Sequence, residues 1–370
     1  MTRVISFVSN DIVSDNRVHK TALSLIANGY NLKIVGRIFR NSKKLPDRPY
    51  DTYRFRLWFN TGPLFYANLN IRIFLYLLWS NVDIILSNDL DTLPACWLAA
   101  KLRKKKLVFD SHELFPEVPE LVYRPIVRNI WLMIEKTFIK RIHYAITVSS
   151  SIAGYYKSNY GKRFEVIRNV GYFRNASEFK DISKDPDVGK IIYQGALNIG
   201  RGLELAIQSM HYVNHAKLQI VGDGDIYNEL KQLTTDLGLE SKVEFIDRVP
   251  LEELWKYTVR AHIGLSLEED LGLNYQFALP NKLFDYIQAR IPIVVSDLHE
   301  LRAIVNQYRI GRILHQRTPE QLGKVLTKML FEELPEGKYL YEIEIAAGEL
   351  CWEREEKKLI GLFRHVNTSA

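Results

Sequence analysis

This 370-residue sequence has little of what stabilises a small secreted protein or holds a structural metal. It has only two cysteines, Cys96 and Cys351, and no Cys-x-x-Cys pair. That excludes a disulfide framework and a thiol-based zinc or redox site, and it favours a reducing compartment. The nine histidines are scattered without the spacing of metal ligands. We therefore expect no metal site.

Long apolar runs are also missing. The N-terminal MTRVISFVSND is too short in apolar residues for a signal peptide and predicts a first strand. The most apolar stretch, 64–79, contains Asn68, Asn70 and Arg72 and is shorter than the roughly 20 residues that span a bilayer. It predicts a buried helix rather than a membrane-inserted one, although contact with a membrane surface stays open. We expect a cytoplasmic protein.

The net charge of +7 is unevenly distributed. Residues 1–170 hold 26 basic against 13 acidic residues, whereas 171–370 hold 24 against 30. This asymmetry indicates two domains with different partners. The cluster Lys101, Arg103, Lys104, Lys105 and Lys106 is either a solvated helix end or a contact with anionic lipid or a phosphate-bearing acceptor. No basic-aromatic module for nucleic acid is present.

Strand-like and helix-like segments alternate along the chain, which predicts parallel, doubly wound sheets. In the first half, helix patterns at 17–28, 64–79, 91–103 and 124–142 separate strand candidates at 4–9, 31–37, 82–88, 106–111 and 145–149. The second half repeats the rhythm, with helix patterns at 201–212, 225–237, 251–259, 280–289, 298–306 and 318–332 and strand candidates at 190–195, 216–222, 243–247, 262–267 and 291–297. The fold class is α/β, with two Rossmann-like domains facing a cleft.

The polar, irregular segment 171–188 marks the domain boundary. We predict an N-terminal domain over 1–172, a C-terminal domain over 173–345 and a last helix over 346–370. Ligands of such sheets bind beyond the carboxyl ends of the strands, so the residues that follow strands are the candidate site residues.

The loop after the first strand, SNDIVSDNRVHK, has no glycine, which disfavours a dinucleotide site there. Asp11, Asp15 and Arg17 could contact an acceptor. Helix capping by Ser14 or Asp15 is the equal alternative. No nucleophile elbow, Walker A motif or kinase motif set occurs in the sequence.

The segment YQGALNIGRGLELAI, 193–207, places a short glycine-containing loop between a strand and a helix that we expect to begin near Arg201. A helix N-terminus and a forked guanidinium both suit a diphosphate. A loop that only needs glycine and a surface arginine is the alternative.

The segment LPNKLFDYIQARIPIVVSD, 279–297, predicts a helix start at Pro280 and Asn281. Lys282 is unfavourable toward the helix dipole unless an anion lies at the same terminus. Asp285, one turn later, could accept hydrogen bonds from a ribose diol, as acids do in dinucleotide sites, or could be a solvated helix residue.

The segment VFDSHELFPE, 108–117, puts His112 and Glu113 directly after a buried strand. There they could bond sugar hydroxyls or assist proton transfer. A structural histidine at the strand end is the alternative.

These segments together, in this order, resemble the family-4 glycosyltransferases of the GT-B fold. The resemblance rests on SDNRVHK, NDLDTLPA, VFDSHELFPE, YQGALNIGRGLE, LQIVGDG, VEFID and LPNKLFDYIQARIPIVVSD, and on CWEREEKKLIGLF, which is similar to the family's last helix. It is closest to bacterial members that build lipopolysaccharide, capsule or exopolysaccharide.

The resemblance implies a hexosyltransferase-type enzyme that binds a nucleoside-diphosphate sugar in the second domain, 173–345, and an acceptor glycan or lipid-linked acceptor in the first, 1–172. It also implies that the last helix, 346–370, returns to the N-terminal domain. It implies retention of configuration, no metal and no other cofactor, and peripheral contact with the inner face of the membrane. By the same resemblance, Arg201 stands where a family lysine binds the diphosphate. Asp285 stands where the second glutamate of an E-x7-E motif binds ribose, and His112 where a histidine reaches the transferred sugar.

Three departures from the family pattern bear on these roles. Ala196 replaces an arginine, Phe277 replaces the first glutamate of E-x7-E, and the glycine-rich first loop is missing. Glu268, Glu269 or Asn274 could compensate for the glutamate, and Lys282 could supply the missing cation.

The predicted catalytic residues are His112, Arg201 and Lys282. The predicted donor-binding residues are Gly195, Asn198, Arg201, Gly222, Arg248, Asn274, Asn281, Lys282 and Asp285, and the predicted acceptor-binding residues are Asp11, Asp15, Arg17, Asp91 and Glu113. A UDP-sugar 2-epimerase of the same fold and a non-catalytic membrane-associated scaffold are the alternative functions.

Overall fold

A computed structural model describes residues 1–13, 15–122, 124–179, 182 and 188–369. The chain forms two compact units. Unit 1 comprises Met1–Asn169 and Glu355–Ala370, and unit 2 comprises Val170–Arg354. Ser14, named above as a possible helix cap, lies outside the described residues. So do residues 180, 181 and 183–187 of the predicted boundary segment 171–188.

Unit 1 is built on a parallel sheet that has seven strands in the part of the chain described. Their order is β3-β2-β1-β4-β5-β6-β7. In register, Phe7 of β1 lies between Val35 of β2 and Ser87 of β4. The strands are β1 (Arg3–Phe7), β2 (Asn31–Arg37), β3 (Asp51–Phe55), β4 (Ile84–Asn88), β5 (Lys106–Ser111), β6 (Tyr144–Thr147) and β7 (Glu165–Val166).

Helices connect these strands, and a short 3₁₀ turn spans Phe115–Glu117. The first helix begins where the Asp15 side chain accepts a hydrogen bond from the backbone N–H of Val18 at 3.0 Å, which caps an otherwise unpaired donor. The helices are α1 (Asn16–Ala27), α2 (Gly62–Trp79), α3 (Leu93–Arg103), α4 (Pro119–Val122), α5 (Pro125–Ile139) and α6 (Ser150–Tyr160).

Unit 2 has a second parallel sheet, with six strands among its described residues in the order β10-β9-β8-β11-β12-β13. Its interior strands are buried on both faces, as expected for a parallel sheet covered by helices. The strands are β8 (Gly189–Gln194), β9 (Ala216–Val221), β10 (Val243–Ile246), β11 (Ile263–Ser266), β12 (Ile293–Ser296) and β13 (Gly311–Leu314).

The helices of unit 2 cover its sheet, with 3₁₀ turns at Ala176–Phe179 and Met210–Tyr212 and a π-helical turn at Met329–Glu333. The last helix begins in unit 2 and continues into unit 1. The helices are α7 (Leu203–Ser209), α8 (Tyr227–Asp236), α9 (Leu251–Thr258), α10 (Leu273–Phe277), α11 (Asn281–Gln288), α12 (His299–Tyr308), α13 (Pro319–Lys328), α14 (Leu340–Glu349) and α15 (Trp352–Thr368).

Two Rossmann-like α/β domains are therefore present, as the alternating pattern predicts. The elements that the pattern misses are mostly short or lie at sheet edges. β3 reads DTYRF and only Phe55 is fully buried, so it carries no apolar run. Helix α14 packs on α11 and α12, which keeps residues 346–354 in unit 2, whereas the sequence places the last segment's start at 346.

The apolar stretch at 64–79 forms most of α2. It buries Phe65, Leu69, Ile73 and Leu77, and leaves other apolar side chains exposed. Within the described part of the chain, no helix combines the length and the apolar character needed to cross a membrane.

Each sheet reverses its strand order once, and such switch points are where ligands bind in open α/β sheets. In unit 1 the reversal lies between β1 and β4, and in unit 2 between β8 and β11. The carboxyl ends of these four strands therefore locate the candidate sites.

A buried ion pair lies at this edge of unit 1. Arg17 of α1 binds Asp110 of β5 through two hydrogen bonds of 2.7 and 3.0 Å and donates a third to the Ile167 carbonyl at 2.9 Å. Both side chains are at most 5% exposed. Burial opposes ionisation of Asp110, but the charges of Arg17 and His112 lower its pKa to about 2.

Arg17→Met is expected to reduce the free energy of unfolding by about 3–5 kcal/mol, because it leaves a buried carboxylate without its main partner. Arg3→Met is the matched control, since the Arg3–Asp83 pair is 40% and 34% exposed and contributes about 1 kcal/mol or less. Urea unfolding measures both, and equal effects of the two substitutions would contradict the assignment.

The ion pair also predicts how stability depends on pH. Because the pKa of Asp110 in the folded protein lies below its unfolded value, the pair stabilises the fold at pH values above the unfolded pKa, and this stabilisation is lost as the pH falls toward 2.

Candidate functional site

The loops that follow β8 and β9 touch each other through their backbones. A side chain at Gly222 would place its Cβ 1.9 Å from the Gly195 carbonyl oxygen, and a side chain at Gly224 would lie 2.4 Å from the Leu197 oxygen. Gly195 and Gly222 also have φ angles of 133° and 153°, which disfavour other residues. Gly222 is therefore needed for the close approach of two backbones at the switch-point edge, and Gly195 is needed for its backbone conformation.

A buried carboxylate, Glu268, lies just beyond β11, with two basic side chains beside it. The Lys282 Nζ lies 2.8 Å from its Oε1, and an Arg201 guanidinium nitrogen lies 3.8 Å from the same oxygen. The Ser266 hydroxyl donates to Oε2 at 2.7 Å. Burial would raise the pKa of Glu268, but the charge of Lys282 and the hydrogen bonds from Lys282 and Ser266 lower it, so the carboxylate is ionised.

Lys282 is held from two sides. Its side chain is only 8% exposed, and its ammonium group lies 3.9 Å from the centre of the Tyr193 ring. The sequence suggests that an anion offsets this cation in the first turn of α11. The structure identifies a protein carboxylate, Glu268, as that anion.

Arg201 lies before its helix rather than in it. Gly202 is the N-cap, with a φ of 69°, and α7 begins at Leu203, so the prediction that the helix begins near Arg201 is shifted by two residues. A Cβ at Gly202 would lie 2.2 Å from the Leu267 carbonyl oxygen, which packs this loop against the end of β11. Arg201 is 31% exposed, and its guanidinium lies 5.6 Å from the Tyr275 ring centre. The single negative charge of Glu268 thus lies against two positive charges, those of Lys282 and Arg201. Arg201 is the more exposed of the two.

Asp285 belongs to the same edge. Its Oδ2 accepts a hydrogen bond from the Gln194 side chain at 3.0 Å, and the other end of that amide accepts from the Thr258 hydroxyl at 2.7 Å. Gln194 is the last residue of β8 and is buried. Sequence analysis did not single it out, although its position at a strand end was the available signal.

The other predicted donor residues are dispersed around this centre. The Asn198 side chain accepts from the backbone N–H of Asp225 at 3.3 Å and so ties two loops together. Asn274 is buried in α10, Asn281 is exposed at the start of α11, and Arg248 is exposed in the loop after β10.

Arg317 is a further residue that the sequence did not reveal. It donates to the backbone carbonyls of Leu267 and Glu268, at 3.0 and 3.2 Å, and to the Ser296 hydroxyl. It therefore fixes the backbone on which Glu268 stands. Arg317 lies beyond the edge strand β13, which was absent from the predicted pattern.

At the corresponding edge of unit 1, His112 lies between two carboxylates. Its Nδ1 is 3.3 Å from Asp89 and its Nε2 is 3.1 Å from Asp110, while its backbone N–H donates to Asp89 at 2.8 Å. Burial lowers the pKa of His112, but the two carboxylates outweigh it and raise the pKa well above its usual value. The ring is therefore cationic at neutral pH, which suits a hydrogen-bond donor and not a general base.

Asp91 is buried near the end of β4. Burial, with the charge of Asp89, raises the pKa of its carboxyl to about 7. Its Oδ1 has no hydrogen-bond partner among the described residues. Such a group is a candidate for ligand contact, because a buried carboxyl oxygen without a partner is costly.

The remaining predicted acceptor residues differ in what they do. Asp15 caps α1, as the alternative interpretation proposes, and Arg17 is buried against Asp110. Asp11 accepts from Arg54 at 3.2 Å. Glu113 follows the strand end and is partly buried. Structural bonds thus engage Arg17 and Asp15, and the structure brings His112, Asp91, Asp11 and Glu113 to the same sheet edge.

Two family models match the chain in succession. The model for Glycosyltransferase Family 4 matches residues 15–170, and the model for Glycosyl transferases group 1 matches residues 175–343. Their boundary coincides with the junction between unit 1 and unit 2.

A curated relative, the uncharacterized glycosyltransferase MJ1607 of Methanocaldococcus jannaschii, is 26% identical over 208 residues, or 53% of this chain. The chain spans about half of that relative's length, 50%.

Solved structures show the same fold at low identity. Sucrose-phosphate synthase from Thermosynechococcus elongatus superposes with a TM-score of 0.81 at 16% identity, covering 100% of both chains. Anabaena HepE, in complex with UDP and glucose, superposes with a TM-score of 0.73 at 12% identity, covering 99% of this chain and 100% of its own. With both family models matched in order and this fold, the chain belongs to the family-4 glycosyltransferases of the GT-B fold.

Proposed function

We propose that this protein transfers a sugar from a nucleoside-diphosphate sugar, held at the switch-point edge of unit 2, to an acceptor held at the corresponding edge of unit 1. The observation that carries the proposal is the convergence of Arg201 and Lys282 on Glu268 beside Asp285. A cationic group and a fixed carboxylate at one sheet edge match the diphosphate and the ribose of such a donor.

Arg201 is the residue that binds the diphosphate. Lys282 is buried and engaged with Glu268 at 2.8 Å, whereas Arg201 lies 3.8 Å away and is about a third exposed. Its planar fork suits two phosphate oxygens. When the glycosidic bond breaks, negative charge builds up on the diphosphate, and a fixed donor of this kind is worth about 3–4 kcal/mol at the transition state.

Asp285 is the residue that binds the ribose. A carboxylate has room for several hydrogen bonds, and Gln194 fixes the orientation of this one by donating to Oδ2. Thr258 in turn fixes the amide of Gln194. The pair of hydroxyls on a ribose would then meet a carboxylate that is already oriented.

Transfer is proposed to retain configuration and to proceed without a metal or other cofactor. The acceptor hydroxyl would attack from the side of the leaving group, with a phosphate oxygen taking its proton. Glu268 already forms an ion pair with Lys282, and the positive charge of Arg201 would take the place of a metal ion at the diphosphate. Both ring nitrogens of His112 already face carboxylates, Asp89 and Asp110, so its proposed contribution at the transferred sugar is its positive charge.

The acceptor is proposed to be a surface glycan or its lipid-linked precursor, in lipopolysaccharide, capsule or exopolysaccharide synthesis. This places the protein in the cytoplasm, against the inner face of the bacterial plasma membrane. Support comes from one face of unit 1, where α3 packs against both α2 and α5. The membrane-side face, as we call it, exposes Ile71 and Trp79 of α2, Leu102 of α3, and Ile126 and Met133 of α5, each at least 58% exposed.

The membrane-side face is also basic. Lys101, Arg103 and Lys104 end α3, and Arg128 and Lys136 lie on α5. Exposed apolar side chains with flanking lysine and arginine bind at the surface of anionic membranes, where each basic residue contributes about 1 kcal/mol.

Donor binding is tested by a thermal-shift screen with UDP, GDP, ADP and CMP. One diphosphate is expected to raise the melting temperature, and Arg201→Ala should weaken its binding by about tenfold or more and abolish transfer while the fold is retained. Arg302→Ala removes a partly exposed arginine from the same unit and should change neither nucleotide binding nor transfer.

Three outcomes would contradict this proposal. Sugar transfer at the unaltered rate in Arg201→Ala would refute the role of Arg201, and a lack of stabilisation by all four nucleotides would favour a non-catalytic scaffold. Conversion of UDP-GlcNAc without an acceptor would identify an epimerase instead.

The Lys282–Glu268 pair is tested by a double-mutant cycle. Lys282→Met is expected to reduce the free energy of unfolding by about 3–5 kcal/mol, because a buried carboxylate loses its nearest counter-charge. The double variant Lys282→Met/Glu268→Gln should lose less than the sum of the two single variants, since the uncompensated charge is removed. Urea unfolding gives the four values. Strict additivity would mean that the two groups do not interact.

Membrane contact is tested by co-sedimentation with vesicles. Binding is expected with vesicles containing phosphatidylglycerol and not with phosphatidylcholine alone, and salt should weaken it. Ile126→Glu/Met133→Glu places two charges on the membrane-side face and should reduce the bound fraction about fivefold or more. Tyr341→Glu, at a 75% exposed position of unit 2, is the control and should bind normally. Unchanged binding of the double variant would exclude this face.

A further inference from the structure

A basic segment follows the carboxyl end of β2 in unit 1. Arg37 ends that strand, and the loop that leads to β3 adds Arg40, Lys43, Lys44 and Arg48. Asp47 is the only acid in the loop. We call these five cations the β2–β3 basic segment. Because β2 pairs with β1, the segment begins beside the switch-point edge.

None of these cations forms an ion pair in the described part of the chain, and the more distant charges of Asp91 and Asp11 act on Arg37. Among the described residues, none of the five is within ion-pair distance of a carboxylate, whereas Arg54 in the neighbouring strand is paired with Asp11 at 3.2 Å. Two of the acids at this edge already have partners of their own. Asp15 caps α1, and Asp89 lies against cationic His112.

Arg37 is held in place by two aromatic rings. Its guanidinium carbon lies 4.0 Å from the centre of the Phe39 ring and 4.3 Å from that of Phe65. One terminal nitrogen donates to the Asn60 carbonyl at 3.3 Å, and its buried Nε has no hydrogen-bond partner in the described structure. A guanidinium that is fixed in position, charged and only partly hydrogen-bonded is preorganised for an anion.

Arg48 shows the same incomplete pairing. One terminal nitrogen contacts Nε2 of His19 at 2.8 Å and the other donates to the Val13 carbonyl at 3.4 Å, while its buried Nε also has no partner among the described residues. Burial and the charge of Arg48 lower the pKa of His19, so the imidazole is neutral and leaves the charge of Arg48 uncompensated.

Both arginines border the loop that follows β1. The backbone N–H of Arg37 donates to the Asn10 carbonyl at 3.1 Å, and Arg48 reaches Val13 in the same loop. Two guanidinium groups that have no ion-pair partner among the described residues therefore flank the loop at the switch point of this sheet.

We propose that the acceptor carries a phosphate or diphosphate group, and that Arg37 and Arg48 bind it. The inference rests on the proposed function, in which unit 1 holds the acceptor. Phosphate presents several oxygens to more than one guanidinium fork, which a neutral sugar cannot do. Arg40, Lys43 and Lys44 add attraction without direct contact.

The test uses the full chain saturated with the nucleotide that the thermal-shift screen identifies, so that the proposed donor site at the edge of unit 2 is filled. Inorganic phosphate is titrated by isothermal calorimetry and is expected to bind in the millimolar range. Arg37→Gln and Arg48→Gln should each weaken binding by about tenfold. Arg3→Gln, which removes the same charge from the opposite end of β1, should not change it.

Two further probes distinguish the source of the phosphate. N-acetylglucosamine 1-phosphate represents a phosphorylated glycan and geranyl diphosphate a lipid diphosphate, and the natural class should bind more tightly than inorganic phosphate. The triple variant Arg40→Gln/Lys43→Gln/Lys44→Gln changes only exposed side chains and should weaken binding by about threefold, through loss of long-range attraction alone. It keeps the test valid if Arg37→Gln fails to fold.

Phosphate binding that is insensitive to Arg37, Arg48 and the triple variant would overturn the proposal, as would no binding up to about 20 mM. Either result leaves the proposed donor site intact if that nucleotide still stabilises the chain. Conversely, phosphate binding that depends on Arg37 in a chain that binds no nucleotide would leave the anion site standing and remove the transferase assignment.

Discussion

The switch-point edge of unit 2 depends on one buried carboxylate, Glu268. An ionised side chain in the interior is costly unless cations and hydrogen-bond donors surround it, and here Lys282, Ser266 and Arg201 do so. The requirement works in both directions, because Lys282 is equally buried and needs Glu268. Arg317 donates hydrogen bonds to the backbone carbonyls of Leu267 and Glu268 and so fixes the backbone that carries this carboxylate. The position of Arg201, which is proposed to meet the diphosphate, follows from this arrangement.

Unit 1 uses the same physical solution with different residues. Asp110 is buried between Arg17 and His112, and its charge keeps the imidazole protonated. The cations nearest to each buried carboxylate are therefore structural, and the cations left over are the ones available to ligands. In unit 2 the more exposed of the two cations beside Glu268, Arg201, is the one proposed to meet a ligand, and in unit 1 the β2–β3 basic segment is proposed for that role. This division separates residues that stabilise an edge from residues that act at it.

Much of the fold follows from the sequence because buried parallel strands carry short, mostly apolar runs. KIIYQ, LQIV and IVVS are such runs, and each forms an interior strand of unit 2. β3 and β13 do not, because edge strands are buried on fewer sides and DTYRF and GRIL pack only part of their length. Their pairing is decided by the neighbouring strand, which a local pattern does not contain. Gln194 and Arg317 were missed for a related reason, since both act through contacts with residues far away in the chain.

The sequence by itself determined the two α/β units, the family pattern and the glycine positions that allow two loops to touch, since these depend on local chemistry and on order along the chain. Tertiary structure alone decided which charged side chains form ion pairs within the protein. Lys282 and Glu268 are 14 residues apart, Arg17 and Asp110 are 93 apart, and no spacing rule pairs them. Whether a cation is neutralised depends on which carboxylate folding brings within about 4 Å in a low-dielectric interior, because there the interaction is strongest.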